Sequence, residues 1–124
     1  MEAAMKIHGP DHPITIEPFG GEVTIDFGGK VIARSGKALA LKEASYPVVY
    51  YLPRTDVEMA GFDITDRVTH CPFKGDATHF TIRANGEVAE NAAWSYQSPY
   101  PSVADIAKHI AFYADKVSVA VMHA

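Results

Sequence analysis

Ala77-Thr78-His79-Phe80-Thr81-Ile82-Arg83-Ala84-Asn85-Gly86-Glu87-Val88-Ala89-Glu90-Asn91-Ala92-Ala93-Trp94 is a pair of apolar-polar runs broken once, at Asn-Gly. Asn and Gly both tolerate positive φ, so together they favour the type I′ turn of a two-residue β-hairpin. With that turn, Ala84 faces Glu87, Ile82 faces Ala89, Phe80 faces Asn91 and Ala77 faces Trp94. Phe80 and Ile82 then share a face with Ala89, while His79, Thr81, Arg83 and Trp94 take the other. His79 lies diagonal to Trp94, as long as no bulge intervenes near Asn91.

The same period of two extends outward from this hairpin. Val23, Ile25 and Phe27 alternate with Glu22, Thr24 and Asp26, and Gly28-Gly29 supplies a second hairpin turn into a strand over 30–34. Further strands are expected over 14–17, 38–42, 47–52 and 116–121. Residues 63–69 read as a polar connection. Thr55 and Glu58 carry the spacing of a capping box and Gly61 suits a helix end, so a short helical turn is expected near 55–60. One proper helix is expected over 102–113, where Val103, Ile106, Ala107, Ile110 and Ala114 form a stripe. Phe112 falls off that stripe. Residues 1–13, with two prolines and two histidines and no period, read as a flexible arm before a single β-rich domain over 14–124.

The 124 residues carry 15 acidic against 11 basic side chains, a net charge of −4. Without a basic excess or a basic run, nucleic acid is not an expected partner. A membrane is not one either, since no apolar run approaches the length of a span. One cysteine makes no intrachain disulfide, and the first ten residues lack the apolar core of a signal peptide, so a cytoplasmic location is expected. A homo-oligomer stays open.

Four segments stand in fixed order: Tyr51-Leu52-Pro53-Arg54-Thr55-Asp56-Val57, Cys71-Pro72-Phe73-Lys74-Gly75, Ala92-Ala93-Trp94-Ser95-Tyr96 and Ala111-Phe112-Tyr113. They resemble a bacterial family of domains of unknown function, whose signature is tyrosine-x-proline-x-x-aspartate, then CPxKG, then AWxYxxP. The resemblance runs over residues 22–122. It implies a small, mainly β domain of the β-tent kind, antiparallel, with one helix near the C-terminus. Zinc-binding β-tent proteins hold their metal through paired CxxC motifs, and the lone Cys71 departs from that pattern. The family is sometimes labelled nucleotidyltransferase. That chemistry uses a Gly-Ser turn and closely spaced aspartates on Mg²⁺, whereas this chain has Ser35-Gly36 and, at best, Asp63 with Asp66.

Two functions follow as expectations. The first is a small-molecule-binding module, without cofactor, whose pocket is lined by Tyr51, Arg54, Asp56, Lys74, Trp94 and Tyr96. Aromatic rings give rigid contact area, and Arg54 and Lys74 would favour an anionic or aromatic ligand. Asp56 would favour the helical turn through its dipole or pair with Lys74. The second is a small enzyme with Cys71 as nucleophile, Lys74 as electrostatic support and His79 as base, because neighbouring His70 points to the other side of an extended strand. His70, Cys71 and His79 match no standard metal-ligand spacing, so no metal is expected. Gly29 and Gly36-Lys37 lack the spacing of a phosphate loop. Against both functions stands a purely structural role for the signature.

Overall fold

Both two-residue turns take the form their sequences dictate. Gly28 and Gly29 have φ of 62° and 74°, and Asn85 and Gly86 have φ of 50° and 81°. In the computed structural model, which describes residues 9–124, ten strands make three antiparallel sheets. The first joins β1 (Ile14–Pro18), β4 (Leu39–Glu43) and β5 (Val49–Tyr51), with β4 central. The second places β2 (Glu22–Phe27) between β3 (Lys30–Ser35) and β10 (Ser118–Met122). In the third, β6 (Phe62–Cys71), β7 (Gly75–Ala84), β8 (Glu87–Ser95) and β9 (Ala111–Phe112) follow in order. Leu52 and Ile110 exchange both backbone hydrogen bonds at 2.8 Å, which ties the end of β5 to the start of β9.

Two apolar clusters fill the space between the sheets. The larger takes Val23, Ile25, Phe80 and Ile82, all at most 1% exposed, and the smaller takes Leu41, Tyr51, Ala77 and Ile106. β7 contributes to both, because its two faces are each covered. The chain is thus mainly β.

The hairpin register departs from the simple one in one place. Ala84↔Glu87 and Ile82↔Ala89 hold, but then Thr81 alone stands opposite Glu90, Asn91 and Ala92, and pairing resumes at Phe80↔Ala93 and His79↔Trp94. Two extra residues preserve the alternation, so Trp94 keeps its predicted face while moving from diagonal to directly opposite His79. Asn91 takes φ of 49° to make the bulge.

Residues 63–69 are strand, not connection: they form most of β6, paired to β7 alone. An edge strand with a solvated outer side carries charge in place of alternation, which hid it. The expected helix over 102–113 is a 3₁₀ segment, Pro101–Ile106, after which Ala107 turns extended and Ala111 and Phe112 join β8. Val103, Ile106 and Ile110 are all buried, as their stripe requires. A 3₁₀ turn followed by extended chain keeps that spacing as far as Ile110, while Ala107 is half-buried, Ala114 is exposed and the off-stripe Phe112 is buried. The turn near 55–60 is two 3₁₀ turns, Arg54–Asp56 and Met59–Gly61, parted where Val57 bridges to Ala33. No capping box forms, since Glu58 instead accepts from Lys30 at 3.0 Å. Gly61 serves close approach: a Cβ there would sit 2.6 Å from the Arg83 carbonyl.

Candidate functional site

The signature segments meet at the third sheet, where Tyr51, Cys71, Phe73, Trp94, Tyr96 and Ala111 share one apolar cluster. The Cys71–Gly75 hairpin turn is joined to the segment after Tyr96, where Tyr100 N–H donates to the Lys74 carbonyl at 3.0 Å. Trp94 Nε1 donates to the Tyr51 hydroxyl at 3.3 Å, and the Tyr51 and Tyr96 rings lie 6.5 Å apart. Burial pushes both phenols above their usual range, so both stay protonated. Lys74 is 7% exposed, with its ammonium 5.9 Å from the Tyr96 ring centre and paired to Glu43. Burial alone would raise the Glu43 carboxyl, but hydrogen bonds from Lys74 and His12, with their charges, outweigh it and hold it lower than usual. Tyr51, Tyr96 and Lys74 are therefore internal supports.

In front of them lies an apolar groove of about 450 Å³. Ile25, Leu52 and Phe112 line it from the core, and Tyr46, Pro47 and Val48 from the exposed β4–β5 connection. Its aromatic wall is Trp94 and Tyr113, with ring centres 4.4 Å apart. Behind Tyr113, fully buried His79 holds the phenol oxygen at 3.1 Å from Nε2. Burial first, then the charge of Arg67, keeps the His79 imidazole below its ordinary value and so neutral near pH 7.

The profile of a family described as a domain of unknown function, DUF427, matches residues 15–123. The chain belongs to the DUF427 family. No curated protein matches it. In this DUF427 chain the aromatic half of the predicted site is thus split by the wall of the groove. Trp94 reaches the groove; Tyr51 and Tyr96 brace it from behind.

The two predicted polar residues of the Tyr51–Val57 segment tie that segment to its neighbours. Asp56 accepts from the buried Ser35 hydroxyl at 2.6 Å, rather than pairing with Lys74, and so clamps the first 3₁₀ turn to the end of β3. Arg54 reaches the Lys108 carbonyl and Gln97 Oε1, each at 3.3 Å. The guanidinium lies 5.6 Å from the Phe80 ring centre.

Cys71 and His79 are not brought together. Cys71 stands opposite Gly75 at the hairpin end, and His79 is four residues further along β7. That is a separation of about 13 Å along the strand. His79 spends its Nε2 on Tyr113 instead. His70 points away from Cys71, as alternation demands, and pairs with Asp76 at 2.7 Å. His12, assigned by sequence to the loose arm, stacks on Phe73 at 3.9 Å between ring centres and meets Glu43 at 2.8 Å. His8 lies outside the described residues. Among the described residues, no three His, Cys, Asp or Glu side chains gather as a metal site would need.

Sequence reasoning missed Tyr46, Pro47 and Tyr113 as groove residues. Tyr113 had a signal, since it closes a signature segment next to the off-stripe Phe112. Tyr46 had none beyond its place before a β-rich run, and Pro47 read only as the first residue of that run.

Proposed function

We propose that this chain is a cytoplasmic small-molecule-binding module of bacterial origin and β-tent kinship, whose ligand lies in the Trp94–Tyr113 groove. The observation that carries this reading is the groove itself. At about 450 Å³ it is within the range of ordinary ligand sites, and its walls are apolar and aromatic, with the hydroxyls of Tyr46, Tyr50 and Tyr113 and the Trp94 indole N–H as the polar groups of its lining side chains. The signature residues favour the same reading indirectly. Tyr51, held by Trp94 Nε1, and Tyr96, under the Lys74 ammonium, fix the back of the wall, so the groove keeps its shape when empty. A half-buried thiol with no disulfide partner supports a reducing compartment. The alternative, Cys71 as nucleophile with His79 as base, draws no support from this geometry.

Trp94 is the only tryptophan, so its emission reports on the groove directly. Titration with 1-decanol should give a saturable, single-site change in that emission. Ala114 is exposed and lines the groove, so Ala114→Phe should fill it and abolish the response while leaving the melting temperature within a few degrees. A wild-type chain with no saturable response overturns the proposal.

A further inference from the structure

β7 carries irregular pairing on both sides at one level. On one side Thr65, Asp66 and Arg67 of β6 bulge opposite His79; on the other, Glu90, Asn91 and Ala92 of β8 bulge opposite Thr81. The two bulges are locked to each other and to β7. The Thr65 hydroxyl donates to Asn91 Oδ1 at 2.6 Å, and Asn91 N–H donates to the Thr81 hydroxyl at 3.2 Å. Such paired bulges re-aim side chains, and here they open a polar cleft of about 260 Å³. Arg67, Glu90, Asn91, Tyr113, Asp115 and Lys116 line it.

Tyr113 belongs to both cavities, so the apolar groove and the polar cleft meet at one ring. The cleft holds two cations and two carboxylates, and their commitments differ. Lys116 Nζ is engaged by the Glu90 carbonyl at 2.8 Å. Arg67 has no ion pair among the described residues. Asp115 and Glu90 also face the cleft, and they oppose an anion there. Burial raises the Tyr113 phenol, while the Arg67 charge pulls it down and that of Asp115 pushes it up; burial first and then the same Arg67 charge lower the His79 imidazole.

We infer that the ligand is amphipathic, with an apolar body against Trp94 and Tyr113 and an oxyanion head, such as a carboxylate, on the Arg67 guanidinium. Arg67 presents a planar fork of donors suited to such a head. The inference rests on the groove as binding site and adds the head group to it.

The test compares three probes of equal chain length at pH 7.5, read by Trp94 emission: decanoate, 1-decanol and protonated decylamine. Decanoate should bind about fivefold more tightly than decanol, as a partly exposed charge pair gives, and decylamine more weakly than decanol. Arg67→Gln, an exposed change on an edge strand, should bring the ratio of decanoate to decanol affinity down to about one. Equal binding of all three, or a preference for decylamine, overturns the head-group assignment while leaving the groove intact. Failure of all three to bind removes the groove reading itself and the head group with it.

Discussion

Lys74 shows how a residue conspicuous in sequence can be internal in the fold. Its ammonium is taken by Glu43, which also meets His12, so three side chains far apart in the chain form one polar cluster. Removing one partner strands a charge of the other sign inside the protein, which costs more than the pair contributes. Lys74→Met should lower unfolding stability by about 3 kcal/mol in urea titration. The double change Lys74→Met with Glu43→Leu should recover most of that loss. If the two single losses simply added, the pair would not be coupled. Nothing at sequence level links Glu43 to Lys74, because burial of a lysine depends on what packs over it. The same holds for His12, whose ring is fixed by Phe73. By contrast, the separation of His70 from Cys71 was readable, since alternation along a strand is a local rule.

At the scale of elements, turn chemistry and alternation carried most of the fold. Gly28-Gly29 and Asn85-Gly86 located two hairpins, and Val23, Ile25 and Phe27 located a core face. Three features were not legible, each for its own reason. β6 is half solvated and charged, so it has no apolar period. Pro101–Ile106 has helical spacing, but the pull of Leu52 on Ile110 draws the chain into a bridge. The bulge in β8 depends on Thr65, which belongs to β6, on the far side of β7 in the sheet. That bulge has a testable anchor in Asn91, whose φ of 49° an asparagine tolerates and a β-branched residue does not. Asn91→Val should cost about 2 kcal/mol, combining that strain with the lost Thr65 bond. Asn91→Gly keeps the backbone and loses only the bond, so about 1 kcal/mol is expected. Both are read from urea midpoints. Equal losses would mean that the backbone conformation contributes nothing.

For the whole molecule, the buried titratable groups set the pH range of stability. His79 is depressed, so the fold prefers it neutral; its contribution is complete above about 6.5 and fades as pH falls from there. Glu43 is depressed too, so its contribution is complete above about 4.3 and is lost below, toward its folded value. Tyr51 and Tyr96 are raised, and their contribution is lost as pH climbs beyond about 10. Urea midpoints should therefore be flat near neutrality and fall in two acid stages. Glu43→Gln should remove the lower stage and leave the upper. A single acid stage, unchanged in that variant, would contradict the assignment.

The candidate site was legible only in part. The signature pointed to the neighbourhood of the groove, and Trp94 lines it, but whether a tyrosine faces a cavity or a core is decided by which sheet covers it. That is information of the assembled chain.

The pairing of β10 with β2 has a consequence for the chain as it is made. Every other strand leaves the ribosome before Ser118–Met122, so β2 has one bare edge through most of translation, with Val23 and Ile25 already needing cover. A sheet that waits for its last strand cannot close piece by piece. The nascent polypeptide must stay unaggregated until Ser118–Met122 has emerged, and the charged residues of β2, Glu22 and Asp26, help to keep that edge from pairing elsewhere meanwhile.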